Sequence, residues 1–460
     1  MKTYFMRVKR AFFLVGIVAI SVVFYIQYPK LNIIAGYAAK NMSTNVFYAN
    51  RSEKNVQNKD HNVPSVKLAK TTVDANLKTA TSSVFGALKR TSFFREGLGS
   101  VLIDDEFDID QKFLTPKRTP NTYTLPYPYG TGTPSDSTFA NINYKQLKTA
   151  INLAFVENNK KFKKNTRAVI ALYKDHLIAE QYGENFNKNT PLLGWSMAKS
   201  LLATIVGVLD YQKKIDVQKP VVELLNLKNW EKDDRSKITT NHLLKMTSGL
   251  AWEEDYTQIS DATRMLFLER DMTKTQAYKK LIYAPGSKFN YSSGTTNLIS
   301  GILRAQFKTQ QEYLDFPYTE LIDKIGMNSM LFETDMEGNY VGSSYAWATA
   351  RDWAKLGLLY LHKGNWNGTQ IFNKSWADYV AKPTKASNYS YGGHFRTTTL
   401  DGFPNVPNDM YFAYGYHGQF TMVIPSMDLV VVRLGLTHED KKDIYAYADQ
   451  LINNILSCIE

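Results

Sequence analysis

The chain has 460 residues, of which 44% are hydrophobic and 21% charged, a globular balance that excludes disorder over more than local stretches. Its net charge of +12 comes without zinc-finger spacing, an RNA-binding aromatic signature or a basic leucine zipper, so it reads as a solvated basic surface and argues against nucleic acid as a partner. The lone cysteine, Cys458, excludes an intrachain disulfide and a thiolate metal cluster.

Residues 1–10 carry Lys2, Arg7, Lys9 and Arg10, and residues 11–28 carry no charge. As a helix the charge-free run is about 27 Å long, close to the hydrocarbon thickness of a bilayer. Tyr25 and Tyr28 fall where an interfacial aromatic belt would lie, and the cations before the run predict a cytoplasmic N-terminus. Residues 1–30 are therefore expected to form a cytoplasmic tip and a membrane helix. The small residues Ala35-Gly36-Tyr37-Ala38-Ala39 leave a cleaved signal peptide open as the other reading.

Residues 31–140 read as a connector followed by an extended segment. Within them, 43–80 are rich in Ser, Thr, Asn and Lys without apolar periodicity, which predicts an irregular linker. Pro116, Pro120, Pro126, Pro128 and Pro134 punctuate 81–140, which predicts a segment packed along a larger body with no domain of its own.

Residues 141–460 have the pattern of a folded domain. A helix is expected over 144–157. AVIALY at 168–173 and HLIAEQY at 176–182 predict a hairpin about Lys174-Asp175, and SMAKSLLATIVGVLD at 196–210 an apolar helix. A largely helical stretch to about 380 follows, in which Thr349-Ala350-Arg351-Asp352 reads as a capping box opening WAKLGLLYLH. QFTMVIP and LVVVRLG flank the turn Pro425-Ser426-Met427-Asp428, and a helix over 440–458 closes the chain. Strands at both ends with helices between them predict an α/β (α+β) fold: an antiparallel sheet assembled from both ends, flanked by helices, plus a helical lobe.

Ser196-Met197-Ala198-Lys199 is the first candidate for chemistry. Residues three apart on a helix share a face, so the Lys199 amine can reach the Ser196 hydroxyl. A serine needs a base to become a nucleophile, and lysine serves as one in apolar surroundings such as Trp195, Met197, Leu201 and Leu202. At a helix start, free N–H groups also favour a developing oxyanion. Downstream, the loop Tyr291-Ser292-Ser293 offers a phenol that could relay a proton beside that pair. Gly418, just before the strand TMVIP, allows close backbone approach, and the N–H of Gln419 could be a second oxyanion donor. His417 is either a site residue or a hydrogen-bonded strand-edge histidine.

Ser-x-x-Lys, then Tyr-Ser-Ser, then a glycine-bearing triad before a hairpin, in that order, resembles the serine β-lactamase and penicillin-binding-protein superfamily. More closely it resembles the class C and carboxylesterase branch, which includes 6-aminohexanoate-dimer hydrolases. The blocks LLGWSMAKSLLATIVG, TTNHLLKMTSGLAW, PGSKFNYSSGTTNLISGIL, ATARDWAKLGLLYL and YGYHGQFTMVIP carry the resemblance, over roughly residues 145–455. It implies a β-lactamase/transpeptidase-like fold in which Ser196 forms an acyl-enzyme and Lys199 and Tyr291 share the acid–base work. It implies an oxyanion hole from the N–H groups of Ser196 and Gln419, and no metal or organic cofactor. The substrate implied is a small ester or amide, with D-peptides and β-lactams as further candidates.

Two positions depart from the family pattern. Ser293 stands where many β-lactamases have asparagine, and Tyr416, with His417 beside it, stands where they have lysine. Both changes argue for an esterase or amidase over a β-lactamase. The loop Trp252-Glu253-Glu254-Asp255-Tyr256 is expected to border the pocket, with Tyr256 a candidate substrate contact. With the N-terminal helix, the resemblance implies a single-pass protein of the bacterial inner membrane whose catalytic domain lies on the periplasmic or extracellular side. A tethered sensor of β-lactams or peptidoglycan fragments, acylated without turnover, is the alternative.

Overall fold

The computed structural model describes residues 2–86, 88–120, 122, 124–157, 162–398, 402–438 and 440–460. The chain opens with a 46-residue helix, α1 (Lys2–Phe47). Phe12, Phe13, Leu14, Val15, Val18 and Val22 in its first half are exposed. Among the described residues no helix is long and apolar enough to cross a membrane. The predicted span over 11–28 thus gains no support there, and the side chains at 11, 20, 23, 24, 26 and 27 lie outside the described residues.

The second half of α1 is buried, which corrects the reading of this region as a connector. Ile33, Ile34, Ala35, Ala38, Ala39 and Met42 all face protein. Of the small residues that suggested a cleavage site, Ala35 and Ala38 pack against Ala69 and Val84, and Ala39 packs into the cluster of Leu102 and Phe267. Residues 43–80, expected as an irregular linker, complete α1, form α2 (Glu53–Lys59) and enter a sheet. That sheet is antiparallel and sequential: β1 (Ala69–Asp74), β2 (Thr79–Val84), β3 (Leu88–Arg95) and β4 (Gly99–Ile103). Its inward face carries Ala69, Ala80, Ser82, Ser92 and Ser100, all buried. Small and hydroxyl-bearing side chains let a helix lie close to the sheet, and Ser100 Oγ donates to Ser43 Oγ at 2.8 Å. Val84, Phe94 and Leu102 share that face, but the alanines and serines between them break the hydrophobic alternation, so the strands escape a periodicity reading.

One buried ion pair pins this N-terminal unit to the rest. Glu333, wholly buried, accepts from Lys40 Nζ at 2.6 Å, Thr44 Oγ1 at 2.7 Å and the Ser100 N–H at 2.9 Å. Gly99 has φ +75°, and a Cβ there would lie 2.3 Å from Glu333 Cγ, so both backbone conformation and space require glycine. A second pin is Asp60, which accepts from Arg51 and from Arg167 at the start of the main sheet.

The main sheet has six antiparallel strands: β5 (Thr166–Tyr173), β6 (His176–Tyr182), β7 (Arg396–Thr397), β8 (Tyr411–Gly415), β9 (Gln419–Ile424) and β10 (Leu429–Gly435). The order is β7-β8-β9-β10-β5-β6. Val431 on β10 pairs with Ala171 on β5, so strands from both ends of the domain meet in mid-sheet, as the sequence order predicts. Ala168, Ile170, Leu172, Val430 and Val432 face the larger core, built around helices α4 (Met197–Tyr211), α5 (Ser293–Ala305) and α6 (Ala350–Leu361). Val169, Ala171, Met422 and Val431 face the opposite core, under α3 (Tyr144–Leu153) and α7 (Lys441–Leu456). Cover on both faces explains why β5 reads as an unbroken apolar run.

The predicted hairpins and terminal helices lie within a few residues of their expected positions. Lys174 and Asp175 both take positive φ, as a tight two-residue hairpin turn requires. Thr349 caps α6, its side chain accepting from the Asp352 N–H, but Asp352 turns its carboxylate to the Ser329 N–H and hydroxyl instead of closing the box. The stretch between α4 and α6, expected to be largely helical, is broken into short helices joined by long loops.

Candidate active site

Ser196 sits where strand residues Leu192–Leu193 turn into α4, and it is the N-cap of that helix. The turn is tight for two reasons on either side of it. A Cβ on Gly194 would lie 2.3 Å from the Trp353 ring, and Trp195 takes φ +48°, an outlier for a bulky side chain. Such strain persists where packing holds it, and Trp195 is clamped among the rings of Tyr37, Tyr256, Tyr345 and Tyr416. The result is a serine at the positive end of a buried helix.

Lys199, one turn on, is buried, and its Nζ donates to Ser196 Oγ at 3.1 Å, Ser293 Oγ at 2.9 Å and the Ser343 carbonyl at 2.8 Å. The expected serine–lysine pair therefore meets, and Ser293 joins it from the start of α5. Tyr291 is also close: Nζ is 4.9 Å from its ring centroid, within cation–π range. The Arg396 guanidinium carbon lies 5.0 Å from the same centroid, and Tyr391 packs edge-on against the Tyr291 ring.

Ser293 is a junction as well as a partner of Lys199. Its hydroxyl donates to Glu254 Oε1 at 2.5 Å and its N–H to Glu254 Oε2 at 2.8 Å. Glu254 also accepts from Tyr256 Oη at 2.7 Å and Trp252 Nε1 at 2.6 Å, and Tyr256 Oη lies 3.2 Å from Ser293 Oγ. The acidic loop thus reaches the site, through Glu254 as well as the expected Tyr256. Burial first, and then the Glu254 charge, hold the Tyr256 phenol well above its ordinary range, so it stays protonated.

One further titratable group feels the lysine's charge. His394 is buried, its Nδ1 2.9 Å from the Leu244 carbonyl and its Nε2 3.1 Å from Thr296 Oγ1. Burial, and then the Lys199 charge, push its pKa down to about 3, so the imidazole is neutral. Among the described residues no group of three or more His, Cys, Asp or Glu is arranged to hold a metal ion.

The glycine-bearing hairpin is placed differently from the sequence reading. The close approach to the serine is made by Gly415, where a Cβ would lie 2.0 Å from the Gly194 carbonyl oxygen. Gly418 faces away: a Cβ there would meet Arg433, Ile444 and Thr437. The Gln419 side chain is spent on the sheet, donating to the Tyr416 and Gly435 carbonyls and accepting from the Gly435 N–H. The turn between β8 and β9 needs positive φ at His417 and Gly418, and this fixed turn makes Gly418 necessary there. Tyr416 lies on the pocket side, its ring 4.9 Å from that of Tyr256 and edge-on to Trp195. His417 contacts the Thr437 carbonyl, its ring tilted against Tyr416 and edge-on to His438; burial holds it neutral, well below its ordinary range.

Sequence reasoning missed Glu254, His394, Arg396 and Tyr37. Glu254 lies in a loop that was singled out, but one carboxylate among Glu253, Glu254 and Asp255 has no distinguishing mark. His394 and Arg396 lie in a stretch without helix or strand periodicity, and Tyr37 in the segment read as a connector.

A serine on a helix start, a buried lysine one turn on and a tyrosine near the lysine, all beside an antiparallel sheet, define a β-lactamase-related serine hydrolase. The family model described as Beta-lactamase matches residues 160–452, and the chain belongs to that family. It is 25% identical over 296 residues to a 6-aminohexanoate-dimer hydrolase of Paenarthrobacter ureafaciens, covering 58% of this chain and 72% of the relative. Among solved structures it is similar to EstCE1, a hydrolase with promiscuous acyltransferase activity, with a TM-score of 0.57, 14% identity, and coverage of 68% of this chain and 99% of that one. It is similar in fold to a penicillin binding protein from Bacillus halodurans, with a TM-score of 0.51, 15% identity, and coverage of 66% and 99%.

Proposed function

We propose that the protein is an esterase or amidase in which Ser196 is acylated by a small ester or amide. The Lys199 amine takes the Ser196 hydroxyl proton while Oγ bonds to the substrate carbonyl carbon. The proton passes to the leaving alkoxide or amine as the tetrahedral intermediate collapses, with the Tyr291 hydroxyl as relay. Water then attacks the acyl-serine and the same groups return the proton to Ser196 Oγ. The observation that carries this reading is the 3.1 Å contact between a buried Lys199 Nζ and Ser196 Oγ at a helix start. The N–H of Ser196 is one oxyanion donor. The second is the N–H of Tyr416, which follows the glycine that abuts Gly194, in place of the Gln419 N–H suggested by sequence order.

The absence of an asparagine at Ser293 favours an ester or simple amide over a β-lactam. Ser293 is committed to Lys199 and Glu254, and Tyr416 adds an aromatic wall beside Tyr256. The anchor belongs to the same reading. The cations before residue 11, the charge-free run to 28 and the exposed apolar side chains of α1 support a membrane helix with the body on the periplasmic or extracellular side of a bacterial inner membrane. Burial of Ala35, Ala38 and Ala39 supports an uncleaved helix. Steady-state turnover of p-nitrophenyl acetate by the full-length chain tests the chemistry. Sustained turnover abolished in Lys199→Ala is expected; a single stoichiometric burst without turnover would make the protein an acylated sensor instead.

A further inference from the structure

We propose that the cavity between α1 and the catalytic body is an acyl-chain site, and that the natural substrate is an amphiphilic ester or amide drawn from the membrane surface. This rests on the reading of Ser196 as nucleophile and of residues 11–28 as anchor, and adds the class of substrate. The cavity has a volume of about 330 Å³, inside the roughly 300–1,000 Å³ range of small-molecule pockets. One wall is a single stripe of α1, Lys30, Ile33, Ile34 and Tyr37, spaced as neighbours on one helix face. Ile259 and Phe267 line it from the body.

Its two ends decide what it holds. The inner end is made by Trp195, Tyr256 and Tyr416. Trp195 precedes the nucleophile, and Tyr256 Oη reaches Ser293 Oγ, which accepts from Lys199. The outer end is Lys30, two residues beyond the charge-free run on the same unbroken helix. From Tyr37 to Lys30 the helix rises about 10 Å. A carbonyl at Ser196 would therefore have its chain running back along α1 toward the bilayer, with any further carbons still in the lipid. An apolar lining ending in a cation at the headgroup level matches an acyl chain leaving an anionic surface. A soluble polar substrate would leave these apolar walls facing water.

The full-length chain reconstituted in phosphatidylcholine vesicles tests this with p-nitrophenyl acetate and octanoate. For the native chain, kcat/KM for octanoate is expected to exceed that for acetate by about tenfold or more, since each buried methylene adds to binding. Ile34→Trp and, from the facing wall, Gln258→Trp are expected to collapse the octanoate-to-acetate ratio toward one. A palmitoyl ester carried in the same vesicles as the protein is expected to be cleaved much faster than the same ester in separate vesicles. A flat chain-length profile in the native chain, or a ratio unmoved by both variants, overturns the acyl-chain site. Equal cleavage in the same and separate vesicles overturns the membrane source. Failure of the native chain to turn over acetate at all would instead overturn the hydrolase reading on which the proposal stands.

Discussion

The N-terminal unit and the catalytic body are joined into one molecule but are built on opposite principles. The body buries continuous aliphatic strands between two helical layers, so its elements announce themselves and its serine–lysine pair lies on the helix that the sequence predicts. The N-terminal unit lays a helix on a sheet face that interleaves alanine and serine with Val84 and Phe94, and it is held to the body by buried charge: Lys40 on Glu333, and Arg51 and Arg167 on Asp60. The body thus supplies chemistry, while the N-terminal unit supplies a wall of the pocket through Tyr37 and its neighbours on α1.

The largest expected effect separates the two roles outright. Ser196→Ala is expected to lower turnover by about 10⁴-fold or more without changing the melting temperature, because it removes the nucleophile and little packing. A variant that loses stability instead would mean that Ser196 is structural. Next comes the pin between the regions. Lys40→Ala leaves the buried Glu333 carboxylate without its ion-pair partner, and urea unfolding should show a loss of about 3–5 kcal/mol. An unchanged midpoint would mean that the two regions are joined by packing alone.

A smaller effect comes with pH and tests the second pin. Burial alone would raise the Asp60 pKa, but the Arg167 and Arg51 guanidiniums outweigh it and hold the carboxyl well below its ordinary range. The unfolded chain then binds the proton more readily than the folded one, so this stabilisation is present above about pH 4 and is lost as pH falls below that value. His61 beside it is pushed down to about 4 by burial, so the native state also loses stability as pH falls from the ordinary histidine value toward 4. Thermal melts from pH 7 to 3 should fall on the acid side, and Asp60→Asn should flatten the part below pH 4. The smallest effect lies in the body: Thr349→Ala removes the cap of α6 and should cost about 1 kcal/mol in urea unfolding.

Legibility in the sequence followed the same division. The hairpin at Lys174-Asp175, the β9–β10 pair and α4 were readable because each has either alternating or continuous apolar residues bounded by a turn. Ser196, Lys199 and Tyr291 were readable because their order and spacing are distinctive. The strands β1–β4 were not, because Ser82, Ser92 and Ser100 face inward where a period-two reading looks for Val or Ile. The first half of α1 was read for its apolar run, and its second half then looked like the aftermath of an anchor. The slip from Gly415 to Gly418 has a comparable cause. Both glycines flank a turn, and only the fold shows which one abuts Gly194 and which abuts Arg433.

Intact-mass measurement of the full-length chain after exposure to a fluorophosphonate, followed by peptide mapping, tests the central claim most directly. One adduct per chain on the peptide carrying Ser196, absent from Ser196→Ala and strongly slowed in Lys199→Ala, is the predicted result. No adduct, or an adduct that survives Ser196→Ala, would contradict the assignment of that hydroxyl as the reacting group.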